Sequence, residues 1–135
     1  MAKEAGKVIG VEVNSSAVND AIKNAELNGI ANESFYCDDA GKFMVALAEK
    51  GEKADVVITD PPRAGCSREF LQSLVKLSPR RIVYISCNPE TLARDMQYLL
   101  HKGYRAEKIQ PVDMFPHTRH VECVAHLTLN STTKT

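Results

Sequence analysis

Three short stretches carry the side chains able to do covalent chemistry: Asp60-Pro61-Pro62-Arg63, Ser86-Cys87-Asn88-Pro89 and Phe115–Glu122 (FPHTRHVE). A thiolate is an intrinsically strong nucleophile. Cys87 follows a run of β-formers, Ile82-Val83-Tyr84-Ile85, and precedes a good helix N-cap, Asn88, and a favoured first helical residue, Pro89. That order sets Cys87 beside the positive end of a helix, which favours a thiolate. The competing reading is a small buried core residue, a common fate of cysteine. Glu122 has Val121 and Cys123 as neighbours, which on a strand point to the other face. It is either a solvated strand residue or a carboxylate turned toward the rim that holds Cys87. Asp60 precedes two prolines that lock the backbone and remove donors. It is either an acid held rigidly in place or part of a strand-breaking turn.

Two more acids close apolar runs nearer the N-terminus. A carboxylate at Glu12 can accept both hydroxyls of a ribose diol, or it is a charge partner for the next helix. Asp39 is either an N-cap or an acceptor for a ligand amino group such as that of adenine. His117 and His120 read as loop residues that shape the site, and no metal triad is visible. Cys66 is a weak rival thiol.

The elements that must position these groups follow from periodicity. Lys7–Val13 reads as a strand and Asn14-Ser15-Ser16 as a helix start. Ala17, Val18, Ala21, Ile22 and Ala25 form one helical face, closed by Asn28-Gly29. Ser34–Cys37 is a short strand and Ala40–Glu49 a helix. Ala54–Thr59 is nearly all apolar, as expected of a strand buried on both faces. Phe70, Leu71, Leu74 and Val75 mark a helix, Arg81–Ser86 a strand, and Leu92, Met96, Leu99 and Leu100 a further helix. Arg105–Val112 and His120–Leu129 are the last strands. With no helix between them, they are expected to pair antiparallel. The alternation predicts an α/β fold with a doubly wound parallel sheet, whose ligands bind beyond the carboxyl ends of the strands. Glu12, Asp38-Asp39, Asp60 and Ser86-Cys87 all fall at or near those ends.

The 135 residues suffice for a domain with a real core, and 44% hydrophobic with 25% charged content is ordinary for a globular chain. Lysine plus arginine equals aspartate plus glutamate at 17 each, so there is no global basic footprint for nucleic acid. No apolar run is long enough to span a bilayer, and no secretory signal pattern opens the chain. The four cysteines, Cys37, Cys66, Cys87 and Cys123, form no CxxC pair. They read as reduced thiols of a cytoplasmic protein without a structural metal. Residues 1–129 are expected to form the folded part and Asn130–Thr135 (NSTTKT) a disordered tail.

In this order, VIGVEVNSSAVNDAIKNAELNGI, DPPRAGC, ISCNPETLARD and DMFPHTRHVE resemble segments of the RNA uracil-C5 methyltransferases, makers of 5-methyluridine in tRNA and ribosomal RNA. The resemblance covers nearly the whole chain, and the last three segments together are highly specific. It implies a class I, Rossmann-like methyltransferase sheet, S-adenosyl-L-methionine as cofactor and RNA as partner. Cys87 is implied as the nucleophile and Glu122 as the general base. Glu12, Asp39 and Asp60 are implied as contacts in the S-adenosylmethionine site, with Arg63 near the catalytic loop. The chemistry is coherent: a thiolate adding at uracil C6 makes C5 carbanion-like, and a base must later take the C5 proton. Family members carry a glycine-rich strand–loop–helix segment before the part resembled here. The chain is therefore expected to be a C-terminal part of the catalytic domain, inactive and weak in cofactor binding by itself. The family's first strand would lie between Lys7–Val13 and Ala54–Thr59. The gap is expected to close by direct pairing of those two, by a second chain through exposed edges, or by displacement of the N-terminal part.

Two other functions use the same residues. A methyltransferase acting on an exocyclic or amide nitrogen would grip the amine with Asp60-Pro61-Pro62 and need no thiol. A non-catalytic α/β interaction module would keep the motifs as structure only. A cytosine-C5 enzyme would be expected to place its cysteine directly after a proline of the Asp-Pro-Pro region, where this chain has Arg63.

Overall fold

The structure is a computed structural model that describes residues 2–130. The expected tail lies, from residue 131 onward, outside the described residues. The chain forms two compact units, Met1–Ala46 and Leu47–Thr135.

The first unit contains β1 (Val8–Glu12), α1 (Ser15–Leu27) and β2 (Glu33–Cys37), with α2 (Ala40–Glu49) running across the division. The strands β1 and β2 are parallel, with Glu12 opposite Cys37. Helix α1 starts where the sequence indicates: the Asn14 side chain accepts from the N–H groups of Ser16 and Ala17. Only part of the expected apolar face is buried. Val18 and Ala25 are covered, whereas Ile22 is exposed.

The second unit is a four-stranded sheet of order β3-β4-β6-β5, made of β3 (Val56–Thr59), β4 (Arg81–Ser86), β5 (Tyr104–Val112) and β6 (Glu122–Leu129). Strands β3 and β4 are parallel, and β6 runs antiparallel to both β4 and β5. The expected antiparallel terminal pair is therefore present. The helices α3 (Arg68–Leu77) and α4 (Pro89–His101) touch each other and cover one face of the sheet. Leu74, Leu77 and Leu99 from the helices and Ile82, Tyr84, Ala125 and Leu127 from the strands are almost wholly excluded from water there. A fully buried leucine or isoleucine is worth about 1.5–3 kcal/mol, so this layer anchors the unit.

One expectation fails, and one of three alternatives for the gap is not met. Ala54–Thr59 is not buried on both faces: Val56 and Ile58 are 48% and 43% exposed. Their side chains point away from the face that α3 and α4 cover, and β3 is an edge of its sheet. Direct pairing of Lys7–Val13 with Ala54–Thr59 is also absent. β1 pairs with β2 and β3 with β4, in separate sheets, so among the described residues β1 and β3 each have one strand neighbour. Among the described residues, no helix is long and apolar enough to cross a membrane.

Candidate functional site

The antiparallel fit of β6 against β4 builds the site. Ser86 at the end of β4 lies opposite Cys123, so the next residues outward, Cys87 and Glu122, emerge side by side. On the other flank Thr59 pairs with Tyr84, and Asp60 leaves β3 at the same end of the sheet. From β5, Val112 lies opposite Glu122. Alternation then puts Ile85, Cys87, Val112, Glu122 and Val124 on the face away from the helices. These residues, with Asp60, Met114 and Phe115, line an open cavity of about 520 Å³. A thiol and two carboxylates thus share a largely apolar recess. Cys87 and Glu122 are half-buried and Asp60 is exposed.

The thiol is held at a helix start. Asn88 caps α4, its Oδ1 accepting from the Glu90 N–H at 3.1 Å, and Pro89 follows. The Ser86 hydroxyl accepts the Asn88 N–H and donates to the Asn88 carbonyl, which fixes the turn around Cys87.

Residues Asp60 to Ser67 are tied to the same helix. The Arg63 carbonyl accepts from Asn88 Nδ2 and Thr91 Oγ1, both at 3.1 Å. Arg94 Nη2 donates to the carbonyls of Ala64 and Cys66. Asp95, 1% exposed, accepts the Cys66 N–H at 2.7 Å, the Tyr84 hydroxyl at 2.6 Å and the Arg94 guanidinium at 2.7 Å. Gly65, at φ +76°, admits this closure, because a Cβ there would sit 2.6 Å from Arg94 Nη2 and 2.7 Å from Asp95 Oδ2. The two motif segments therefore form one hydrogen-bonded body.

The same network separates the two thiols. Cys66 lies on the helix side of the sheet, 3.6 Å from the Tyr84 hydroxyl, whereas Cys87 lines the cavity on the opposite face. Burial pushes the Cys66 thiol up from 9.0 to about 11. Burial, then the bond to Asp95, also raises the Tyr84 phenol. A thiol titrating that high is neutral, and so unreactive, at physiological pH. With iodoacetamide at about pH 8, Cys66 is expected to alkylate more than tenfold slower than the exposed Cys37. Peptide mass spectrometry over a time course reads this; equal rates would contradict the placement of Cys66.

Glu12 and Asp39 lie in the first unit, at the ends of adjacent parallel strands. Glu12 Oε1 accepts the Asn14 N–H at 2.8 Å. Asp39 Oδ1 accepts the Lys42 N–H at 2.9 Å, so Asp39 does act as a cap for α2. Each carboxylate has a second oxygen, and both oxygens can only accept, which suits the donors of a diol or an amino group. His117 and His120 belong to the loop between β5 and β6. Among the described residues no group of His, Cys, Asp and Glu is arranged to hold a metal.

Phe115 at the cavity, and Asp95 and Tyr84 in the network that holds the Asp60–Ser67 loop from the helix side, are not singled out by the sequence pattern. Asp95 carried a signal: it lies on the helical face of Leu92, Met96 and Leu99, where an acid must find partners.

A family model described as tRNA (Uracil-5-)-methyltransferase matches residues 1–130. The chain belongs to the tRNA (uracil-5-)-methyltransferase family. It is 50% identical over 129 residues to an RNA methyltransferase of Oceanobacillus iheyensis, covering 96% of this chain and 28% of that protein. It is 52% identical over 124 residues to one of Caldanaerobacter subterraneus, covering 92% and 27%. The family member thus spans less than a third of the length of these curated relatives. Its fold matches the Pyrococcus abyssi tRNA (uracil-54, C5)-methyltransferase, solved with S-adenosyl-L-homocysteine, at a TM-score of 0.78 and 41% identity. That match covers 94% of this chain and 30% of the other. An rRNA methylase of Streptococcus thermophilus, 14% identical with a TM-score of 0.71 over 96% of this chain and 77% of that one, shares the fold.

Proposed function

We propose that this chain is the part of an S-adenosylmethionine-dependent RNA methyltransferase that methylates uridine at C5, in tRNA or rRNA, through a covalent Cys87–C6 adduct. The observation that carries the reading is the shared cavity of Cys87, Glu122 and Asp60, in a chain of this family. The recess is apolar enough to take a flat pyrimidine and polar at the points where this reaction needs a nucleophile and a base.

When bound, S-adenosylmethionine supplies an electrophilic methyl group. As cofactor contacts, Glu12 would accept the ribose hydroxyls, Asp39 would accept the adenine amino group, and Asp60 would be a further contact. Cys87 adds as thiolate to C6, and the ring electrons move onto C5 and the C4 carbonyl. Once C5 carries both its hydrogen and a methyl group, Glu122 takes the proton. The returning electron pair restores the C5–C6 double bond and expels the Cys87 thiolate. The Cys66 alternative lacks support, because that thiol faces the helices and resists ionisation.

Reduced thiols fit work in the cytoplasm. When residues 1–135 are studied alone, the free edge of β3 with exposed Val56 and Ile58 offers a surface through which two chains could dimerise.

The test is product identity. The full-length protein is incubated with unmodified tRNA or rRNA and methyl-labelled cofactor, and the digested nucleosides are separated by mass. The label is expected in 5-methyluridine. Label on a ring or exocyclic nitrogen would refute the reading in favour of an N-methyltransferase.

A further inference from the structure

Phe115 is the only aromatic residue among those lining the cavity, and it is half exposed at the rim. Its position is restrained from two sides. The Phe115 carbonyl accepts from the Thr118 hydroxyl at 2.7 Å and the Thr118 N–H at 3.2 Å, and that hydroxyl accepts the His120 N–H at 3.1 Å. The Phe115 ring meets the His120 ring edge-on, with centroids 6.3 Å apart and planes at 79°. The imidazole is fixed in turn: Arg63 Nη1 lies 3.0 Å from His120 Nδ1. A guanidinium can only donate, so in this hydrogen bond Nδ1 is the acceptor. The backbone of Arg63 is anchored by Asn88 and Thr91 at the start of α4, next to Cys87. An unbroken set of contacts therefore runs from the nucleophile's helix through Arg63 and His120 to Phe115.

We propose that Phe115 is the stacking platform for the extruded target base, and that Arg63 and His120 are positioning residues acting through it. The inference rests on the reading of the cavity as a uridine site. A base removed from its helix loses its neighbours' π-faces, and an aromatic ring beside the nucleophile replaces one of them. A T-shaped pair with His120 engages at most one of the two faces of Phe115, which leaves a face for the ligand. Stacking is indifferent to base identity, so Phe115 contributes affinity and orientation, while Cys87 and Glu122 supply the chemistry.

The experiment uses the full-length protein with unmodified tRNA and cofactor, measuring kcat/KM, melting temperature and the Cys87–RNA adduct. Phe115→Leu keeps an apolar side chain but removes the π-face, and is expected to lower kcat/KM roughly ten- to hundredfold with little change in melting. Phe115→Trp and Phe115→Tyr are expected to restore most of it. His120→Ala lowers kcat/KM in the parent but causes no further loss in the Phe115→Leu background, as expected of a residue that acts through Phe115. A Phe115→Leu protein with unchanged kcat/KM, aromatic variants as poor as leucine, or additive losses for the double variant would each overturn the inference while leaving the uridine reading intact. Absence of a Cys87 adduct in the Glu122→Gln protein would instead overturn that reading, and the inference with it.

Discussion

Replacing Cys87 with alanine is expected to abolish methylation, and replacing Glu122 with glutamine to trap the protein on its RNA. Without the thiol, C5 is never activated, and neither remaining cavity acid can substitute, since carboxylates are far weaker nucleophiles than a thiolate. Loss of the base acts later: addition and methylation proceed, but the C5 proton stays and the double bond cannot return. Turnover should fall by about 10²–10⁴, the usual contribution of a general base. On a denaturing gel with labelled RNA and cofactor, Glu122→Gln is expected to accumulate a shifted protein–RNA band. Cys87→Ala should give none, and Cys66→Ala should resemble the parent apart from a packing loss. A band that survives Cys87→Ala, or normal turnover by Glu122→Gln, would mean that other residues carry the reaction.

The elements that surround these groups were largely legible because local chemistry dictates them. Asn88 and Pro89 start α4 by capping and fixed φ, and Ala40–Glu49 is helical within the bounds its pattern suggests. The antiparallel pairing of β5 with β6 follows from the lack of a crossover helix between them. What the pattern did not reveal is long-range. The apolar run Val56-Val57-Ile58 suggests burial on two faces, but a run of that kind reports side-chain types and not which neighbours are present. The insertion of β6 between β4 and β5 is likewise a matter of sheet order, and it brings Val112 and Phe115 to the cavity. Phe115 has no separate signal in the sequence, because its place at the cavity depends on that order.

Asp95→Ala is expected to cause a large loss of stability in the second unit. The side chain lies in the buried helix layer, and its carboxylate satisfies the Cys66 N–H and the Tyr84 hydroxyl at 2.7 Å and 2.6 Å. Removing it takes the strong acceptor from the buried Tyr84 hydroxyl and the part-buried Cys66 N–H, and it opens a void beside fully buried Tyr84. Orphaned buried donors cost about 1–3 kcal/mol each, so with the void the loss should reach about 3–5 kcal/mol. Melting should then fall by roughly 12–40 °C where the second unit unfolds by itself, and by roughly half that where a larger body unfolds with it. Asp95→Asn is expected to be only a partial rescue, since one of its two oxygens becomes an amide that points donors at donors. The partner substitution gives the sharper diagnosis. Tyr84→Phe alone removes one hydrogen bond and should cost about 1 kcal/mol, but in the Asp95→Ala background it deletes an orphaned hydroxyl and should be neutral or stabilising. Because the same carboxylate pins Cys66 and, with Arg94, closes the turn at Gly65, the loss should also loosen the loop from Asp60 to Ser67. Amide exchange of Cys66 should rise in Asp95→Ala before global unfolding, whereas Tyr84→Phe leaves its N–H protected. Strictly additive costs in the double variant, or unchanged Cys66 exchange in Asp95→Ala, would show that Asp95 does not hold this loop.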